Sequence, residues 1–257
     1  MKEEYVKVNE YKMRYLEEGR GEGLVLVHGI GGSGNHWLGV IGDLSRKFRV
    51  IAPDMIGFGY SDKPDIRYSI SELANYLFKL VNKVGLKSFN LVGLSLGGHV
   101  SIKIASKYQD SVKKLVLVDS AGLVNKRTKK LKDYFELDTS LNGVRKRLLS
   151  SAFVKEAITD DVVRLSYKFI NIEGVRRAFE RALRESIKDR IEDDLRRIRC
   201  ETLIIWGEKD PLIPLKHAYK FKRLIKNSKI YVIKDCGHTP HHEKREDFLN
   251  ALKSFLK

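Results

Sequence analysis

The chain has 257 residues, 49 of them Lys or Arg and 33 Asp or Glu, which gives a formal net charge of +16. Hydrophobic residues make up 42%, enough for a sizeable core, so a disordered or low-complexity protein is excluded. Only five prolines occur, and no heptad or Gly-X-Y period is visible, so fibrous classes are excluded as well. This length favours one large α/β domain with an insertion over two small domains.

The cysteine content and the charge pattern indicate the cellular compartment and the kind of partner that we expect. Cys200 and Cys236 are too few for a disulfide framework, which favours a reducing compartment. The sequence contains no run of about 18 apolar residues, so no membrane span is predicted. The first residues lack the apolar core of a signal peptide. Basic and acidic residues are interspersed, and no nucleic-acid-binding motif accompanies them. We therefore expect a cytoplasmic protein that does not bind nucleic acid, with a homodimer left open.

Short apolar runs alternate with longer amphipathic segments along the chain. Residues 4–8 and 11–16 predict a starting hairpin, and helical patterns follow at 70–83, 97–109, 214–226 and 242–256. The apolar runs are rich in β-branched residues and are apolar on both faces, as in a sheet covered by helices; they lie at 24–27, 50–52, 89–92, 115–118, 203–206 and 230–233. This alternation predicts an α/β fold with a mostly parallel, doubly wound sheet.

The alternation stops once, between residues 123 and 198. This stretch contains helical patterns and no convincing strand, with Thr159 and two following aspartates as a helix start. We predict that residues 123–198 form a helical cap inserted before the penultimate strand. Residues 1–122 and 199–257 would then form the core domain. Cap aromatics such as Phe135 and Phe153 are candidates to line a substrate pocket.

The most specific local pattern is GxSxG at Gly93 to Gly97, which follows a predicted strand and opens a predicted helix. In this context Ser95 occupies a strained turn that projects its hydroxyl above the sheet. Side chains at positions 93 and 97 would collide with the turning backbone, which explains the glycines. Ser95 is therefore the predicted nucleophile.

A serine nucleophile needs a base, and the base needs an acid to orient it. His238 is the predicted base because it follows the last strand and precedes the last helix, at the carboxyl edge of the sheet. Asp119 and Asp210 both follow core strands. Asp210 is the predicted acid, and Asp119 is assigned a loop or capping role. His28 is expected to pack inside the turn after its strand. The other histidines, which are His36, His99, His217, His241 and His242, are expected in helical or surface positions, and no known metal-ligand spacing includes them.

A glycine-rich loop, residues 28–34, follows the strand at 24–27. It lacks the spacing of a phosphate-binding loop, but its glycines let backbone N–H groups approach a ligand closely. We predict an oxyanion hole formed by the N–H of Leu96, directly after the nucleophile, and the N–H of Ile30, with Gly31 as the alternative.

These motifs together resemble the α/β-hydrolase superfamily, in its capped group of esterases and C–C bond hydrolases. The order Ser95, Asp210, His238 matches the family's triad, and the segment from Asp54 to Asp62 resembles a structural turn of the family. The resemblance implies a serine hydrolase that needs no cofactor and no metal. The base loop departs slightly, with Arg245 where the family often has proline.

The expected activity is hydrolysis of carboxylic esters with small to medium acyl chains through an acyl-enzyme. This expectation assumes that the basic residues of the amphipathic helices face solvent and leave an apolar pocket. Two alternatives remain. One is C–C bond hydrolysis of a meta-cleavage-type dienone acid by the same triad, which would need a fixed cation or several hydrogen-bond donors in the pocket, ideally a bidentate Arg. The other is a non-catalytic ligand-binding receptor, which would have no use for the triad.

Overall fold

The computed structural model describes residues 1–123 and 138–257. Eight strands form one sheet in the order β1-β2-β4-β3-β5-β6-β7-β8. β1 and β2 form an antiparallel hairpin, β2 pairs antiparallel with β4, and all other neighbours are parallel. The strands are β1 Lys2–Val8, β2 Tyr11–Glu18, β3 Glu22–Val27, β4 Phe48–Pro53, β5 Phe89–Leu94, β6 Val112–Val118, β7 Glu201–Gly207 and β8 Ser228–Ile233.

Helices cover both faces of this sheet. They are α1 Leu38–Leu44, α2 Ile70–Lys83, α3 Leu96–Lys107, α4 Leu141–Ser151, α5 Asp160–Ile170, α6 Val175–Lys188, α7 Glu192–Arg197, α8 Lys216–Leu224, α9 Pro240–Glu243 and α10 Arg245–Phe255. Helices α4 to α7 lie between β6 and the penultimate strand β7. The predicted fold class, a doubly wound sheet with a helical insertion at this point, is confirmed. None of the helices in the described ranges has the length and apolarity needed to cross a bilayer.

Two hydrophobic clusters explain why the central strands are apolar on both faces. Successive residues of β3 alternate between them: Leu24 and Leu26 belong to one cluster, and Val25 and Val27 to the other. The first cluster includes side chains of α1 and α10, and the second includes side chains of α2, α3 and α8. The central strands are therefore buried on both sides, as a parallel sheet requires.

The turn after β4 fixes the loop between β3 and α1. Asp54 is fully buried, and its carboxylate accepts hydrogen bonds from Gly34 N (2.7 Å) and Tyr60 N (2.7 Å). The Arg14 guanidinium lies 3.2 Å from the same carboxylate, and Ser61 Oγ donates to the Asp54 carbonyl at 2.7 Å. This paired, buried carboxylate anchors the glycine-rich loop beside the carboxyl end of the sheet.

Candidate active site

Ser95 stands between β5 and α3 in a left-handed backbone conformation, with φ 53° and ψ −116°. The glycines around it are required sterically. A Cβ at Gly93 would lie 2.4 Å from the Gly97 carbonyl oxygen, and a Cβ at Gly97 would lie 2.4 Å from the Val27 carbonyl oxygen. Ser95 N donates to Val118 O at 3.0 Å, which ties the turn to the end of β6. The strained turn expected of GxSxG is therefore present.

His238 and Asp210 are hydrogen-bonded to each other. The His238 Nδ1–Asp210 Oδ2 distance is 2.7 Å, and both residues are buried. The other carboxylate oxygen of Asp210 accepts from Leu212 N at 2.7 Å and Ile213 N at 3.0 Å. Because the Asp210 carboxylate can only accept, Nδ1 carries a proton, and Nε2 of neutral His238 is left as the basic atom.

Glu243 holds the loop that carries His238. Its Oε2 accepts from Gly237 N at 2.8 Å, and its Oε1 accepts from Thr239 N at 3.1 Å. The same carboxylate accepts from Phe153 N at 2.8 Å, in the segment after α4. His238 N also donates to Ser151 O at 3.0 Å. The base loop and the inserted segment are thus joined by hydrogen bonds, which the sequence pattern did not predict.

The glycine-rich loop lies against the serine turn. A Cβ at Gly29 would lie 3.4 Å from Ser95 Cβ, which is van der Waals distance, so the two turns pack directly against each other. His28 is fully buried: its Nδ1 is 2.7 Å from Gly29 O, and its Nε2 accepts from Met55 N at 3.0 Å. Burial lowers the pKa of His28, so the ring is neutral and holds the loop. Ile30, Gly31 and Leu96, the predicted oxyanion-hole residues, line the same pocket as Ser95.

One pocket contains Ser95, His238 and the glycine-rich loop. Much of its wall is apolar and comes from the inserted helices and from the loop after β7; these residues are Leu148, Ile158, Val162, Phe179, Leu183, Leu212 and Ile213. Of the two aromatics expected there, Phe153 is 47% exposed and does not line the pocket, and Phe135 lies outside the described residues. Among the residues that the structure describes, Phe179 of α6 is the one Phe, Tyr or Trp that lines the pocket.

Another part of the wall is polar. Arg147 of α4 lines the pocket, and its Nη1 is buried with no hydrogen-bond partner in the described ranges. His36, His241 and His242 line the same pocket. Burial, reinforced by the nearby rings of His242 and His28 and by the Arg147 charge, lowers the pKa of His36 to about 3. Burial lowers the pKa of His242 to about 4. At neutral pH this wall therefore contains one guanidinium and neutral imidazoles.

His36 lies in the short helical turn Gly34–Trp37, and His241 and His242 lie in α9, so the helical positions expected for these histidines are observed; all three also line the pocket. The polar wall contradicts one expectation, because Arg147 is half-buried and one of its guanidinium nitrogens is enclosed in the pocket wall instead of facing solvent. No pattern within residues 141–151 distinguishes Arg147 from its basic neighbours, so sequence reasoning missed it. The sequence signal that could have indicated a polar pocket wall is the pair His241 and His242, directly after His238.

Asp119 is also in the site and is not a peripheral loop residue. One oxygen accepts from Gly207 N at 2.9 Å. Asp119, Asp210 and His238 each contribute one polar atom to a group within 4.8 Å of one another. Three such groups could in principle hold a cation, but here His238 Nδ1 and Asp210 are already bonded to each other. The arrangement is suited to acid–base chemistry.

Comparison with known proteins identifies the class. A family model described as alpha/beta hydrolase fold matches residues 23–151 and 149–245. The chain belongs to this family and is a hydrolase of the α/β-hydrolase type.

The similar proteins point to a narrower group. A hydrolase of 2-hydroxy-6-oxo-6-(2'-aminophenyl)hexa-2,4-dienoic acid from Metapseudomonas resinovorans is 33% identical, over 99% of this chain and 90% of that protein. A 2-hydroxy-6-oxo-2,4-heptadienoate hydrolase from Pseudomonas putida is 33% identical, over 93% and 90%. The solved meta-cleavage product hydrolase from Pseudomonas fluorescens has a TM-score of 0.90 and 27% identity, over 98% and 97% of the two chains.

These findings correct the predicted activity. The expectation of a carboxylesterase acting on small to medium acyl esters is wrong, because the two relatives that are 33% identical to this chain are hydrolases of dienoic acids. The physical reason lies in the pocket. The ester prediction assumed an apolar cavity without a cation, whereas Arg147 lines the cavity. The alternative, hydrolysis of a dienone acid, fits the relatives and the lining residues better.

Proposed function

We propose that this protein hydrolyses a C–C bond in a 2-hydroxy-6-oxo-dienoic acid. Ser95 attacks the 6-oxo carbon, and His238 accepts the serine proton at Nε2. Asp210 orients the imidazole and stabilises its protonated form. The N–H groups of Leu96 and Ile30 stabilise the oxyanion. The hydrogen-bonded His238–Asp210 pair and the strained Ser95 turn on one pocket support these roles.

The observation that carries the choice of substrate is the buried, unpartnered Nη1 of Arg147 in the pocket wall, judged among the residues that the structure describes. A guanidinium enclosed beside apolar residues loses hydration and is stabilised when an anion binds to it. A planar carboxylate matches its geometry and forms charge-assisted hydrogen bonds. A neutral alkyl ester offers no such partner. We therefore assign the substrate carboxylate to Arg147, with the neutral rings of His36 and His242 as further donors or acceptors.

Bond cleavage requires an electron sink. Transfer of the 2-hydroxyl proton to C5 converts the dienol to an unsaturated diketone. After Ser95 adds to the C6 carbonyl, collapse of the oxyanion breaks the C5–C6 bond and moves its electron pair into the conjugated 2-oxo group. The acyl group stays on Ser95, protonated His238 gives its proton to the departing dienolate, and the 2-hydroxydienoate leaves. Water, deprotonated by His238, then releases the carboxylic acid and restores Ser95.

The inserted residues 123–198 are proposed as a cap on a core of residues 1–122 and 199–257. Side chains from α4, α5 and α6 line the pocket that contains Ser95, which supports this division. A cap of this kind restricts substrate size and excludes water from the acyl-enzyme. We also keep a cytoplasmic location as part of the proposal, since Cys200 and Cys236 are both unpaired.

Removing the Arg147 charge should slow turnover of the acid substrate much more than turnover of a neutral ester. Arg147→Met is expected to lower kcat/KM for 2-hydroxy-6-oxo-2,4-heptadienoate about 100-fold, because a charge-assisted hydrogen bond contributes roughly 1.5–3 kcal/mol. Turnover of a neutral p-nitrophenyl ester should change less than about threefold. The matched control is Arg145→Met on the same helix, where the guanidinium pairs with Asp160 at 2.8 Å outside the pocket. Equal losses for both substrates with Arg147→Met would refute the carboxylate assignment.

The group attached to the 6-oxo carbon should be selected by Phe179. Its ring lies 3.1 Å from where a Gly31 Cβ would stand, beside the glycine-rich loop. Phe179→Ala enlarges the pocket there, so kcat/KM should shift about tenfold in favour of a 6-aryl substrate over the 6-methyl one. Tyr167→Ala, at a 40% exposed position of α5, is the control. If the ratio of kcat/KM for the 6-aryl substrate to that for the 6-methyl substrate does not change, the 6-substituent does not bind beside Phe179.

Product analysis tests the proposed reaction. Incubation with 2-hydroxy-6-oxo-2,4-heptadienoate should yield acetate and 2-hydroxypenta-2,4-dienoate in equal amounts, separated by chromatography. When the reaction is run in ¹⁸O-labelled water, the label should appear in acetate, since water attacks the acyl-enzyme. If neither product forms during a long incubation with stoichiometric enzyme, the function is rejected.

A further inference from the structure

Asp119 is a second buried carboxyl beside the His238–Asp210 pair, and the proposed mechanism gives it no task. It follows β6 directly, in a left-handed conformation with φ 41°. Its N–H donates to Ile205 O at 3.0 Å, and its Oδ1 accepts from Gly207 N at 2.9 Å. Both bonds bind it to β7, the strand that precedes the Asp210 loop. Its backbone and one oxygen are thus fixed.

The second carboxyl oxygen of Asp119, Oδ2, lacks among the described residues the kind of partner that Oδ1 has. Oδ2 is buried and receives no hydrogen bond from any residue that the structure describes. A buried carboxylate oxygen without a donor is strongly unfavourable. Asp119 and Asp210 nevertheless lie side by side, with a polar atom of each within 4.8 Å of the other and of His238. Two carboxyl groups this close and this buried do not both ionise.

The partners of the two groups decide which one keeps the charge. Asp210 accepts three hydrogen bonds, from Leu212 N, Ile213 N and His238 Nδ1. Among the described residues, Asp119 accepts one, from Gly207 N. Hydrogen bonds to a carboxylate favour its charged form, so the negative charge belongs to Asp210. A proton on Asp119 Oδ2 would supply the missing partner by donating to the Asp210 carboxylate.

We propose that Asp119 is a protonated positioning residue, which donates a hydrogen bond to Asp210 and so holds that carboxylate toward His238. The inference rests on the proposed roles of Asp210 and His238. Burial and the negative charge of Asp210 both raise the pKa of Asp119 well above its ordinary value. Among the described residues, the other titratable neighbours include His238, Glu243, whose charge acts in the same direction, and Cys236, whose thiol pKa is raised by burial. No proton transfer through Asp119 is required.

Infrared spectroscopy tests the protonation directly and needs no substrate. The wild-type protein minus Asp119→Asn difference spectrum at pH 7 should contain the C=O band of a protonated carboxyl. The matched control, Asp235→Asn at an exposed position of the His238 loop, should lack that band. Because this readout is independent of turnover, it stands even if the dienone acid proves not to be the substrate. A difference spectrum with only carboxylate bands would overturn the proposal.

Kinetics test the positioning role. Asn mimics a protonated Asp, since its amide can donate to Asp210 and accept from Gly207 N. Asp119→Asn should therefore retain kcat within about fivefold, whereas Asp119→Ala should lose about 10- to 100-fold because Asp210 loses a donor. The acid limb of the kcat/KM pH profile should not move in Asp119→Asn. If Asp119 were ionised, its neutralisation would shift that limb to lower pH, and such a shift would refute the proposal even if Asp119→Ala fails to fold.

Discussion

Ser95→Ala is expected to lower kcat about 10⁶-fold for every substrate that the protein turns over, because the acyl-enzyme cannot form. The fold should persist, since Ser95 contributes its backbone to the turn: Ser95 N donates to Val118 O, and Ser95 O accepts from Ala121 N. Alanine tolerates the left-handed conformation no worse than serine. Circular dichroism and the thermal transition should therefore match the wild-type protein.

A fluorophosphonate probe provides the check on that prediction. Mass spectrometry should find one modified serine, Ser95, in the wild-type protein and no modification in Ser95→Ala. Ser150→Ala, at an exposed position of α4, should label and react normally. If Ser95→Ala retained more than a few per cent of activity, the nucleophile would have to be another residue.

Asp210→Asn is expected to lower kcat about 10⁴-fold, because the amide favours the wrong imidazole tautomer. In the wild-type protein Asp210 accepts a hydrogen bond from the proton-bearing Nδ1 of His238 at 2.7 Å. An amide N–H introduced by Asp210→Asn and directed at that atom would donate to it, which would place the proton on Nε2 and remove the base. Substrate affinity should change little, because the substrate carboxylate is assigned to Arg147 and not to the acid.

Substitution of two other aspartates, Asp235 and Asp119, shows whether the effect is specific to Asp210. Asp235→Asn removes an exposed carboxylate from the same loop as His238 and should be nearly silent. The kcat of Asp119→Asn should lie between those of Asp210→Asn and Asp235→Asn, much closer to that of the wild-type protein. If Asp119→Asn were more damaging than Asp210→Asn, the acid would be the residue after β6, and the roles given to the two aspartates would have to be exchanged.

The fold was largely predictable because its determinants are local. The helix predicted at 70–83 is observed as Ile70–Lys83, and it begins at a capping box in which Ser69 N donates to Glu72 Oε2 at 2.8 Å. Helix α1, Leu38–Leu44, was missed. It is short and contains Gly39 and Gly42, which weaken the helical pattern, so its formation depends on burying its apolar side chains against the sheet; these are Val40, Ile41 and Leu44.

The candidate site was predictable in part for the same reason. Ser95 and His238 were predicted because strand ends and glycine turns are visible as sequence patterns. Arg147 was not, because its importance depends on how α4 packs over the pocket, which is a tertiary contact. Asp119 was underestimated because its position beside Asp210 depends on the parallel pairing of β6 with β7. The missed position of Arg147 led to the wrong substrate class.

The most direct test of the central claim is the ratio of kcat/KM for 2-hydroxy-6-oxo-2,4-heptadienoate to that for p-nitrophenyl acetate, a neutral ester that transfers the same acetyl group. Both compounds would acetylate Ser95, so deacetylation is common to them and the ratio reports recognition and cleavage of the remainder. We predict a ratio well above one in the wild-type protein and a fall of about 100-fold in Arg147→Met. A ratio below one, unaffected by Arg147→Met, would contradict the account.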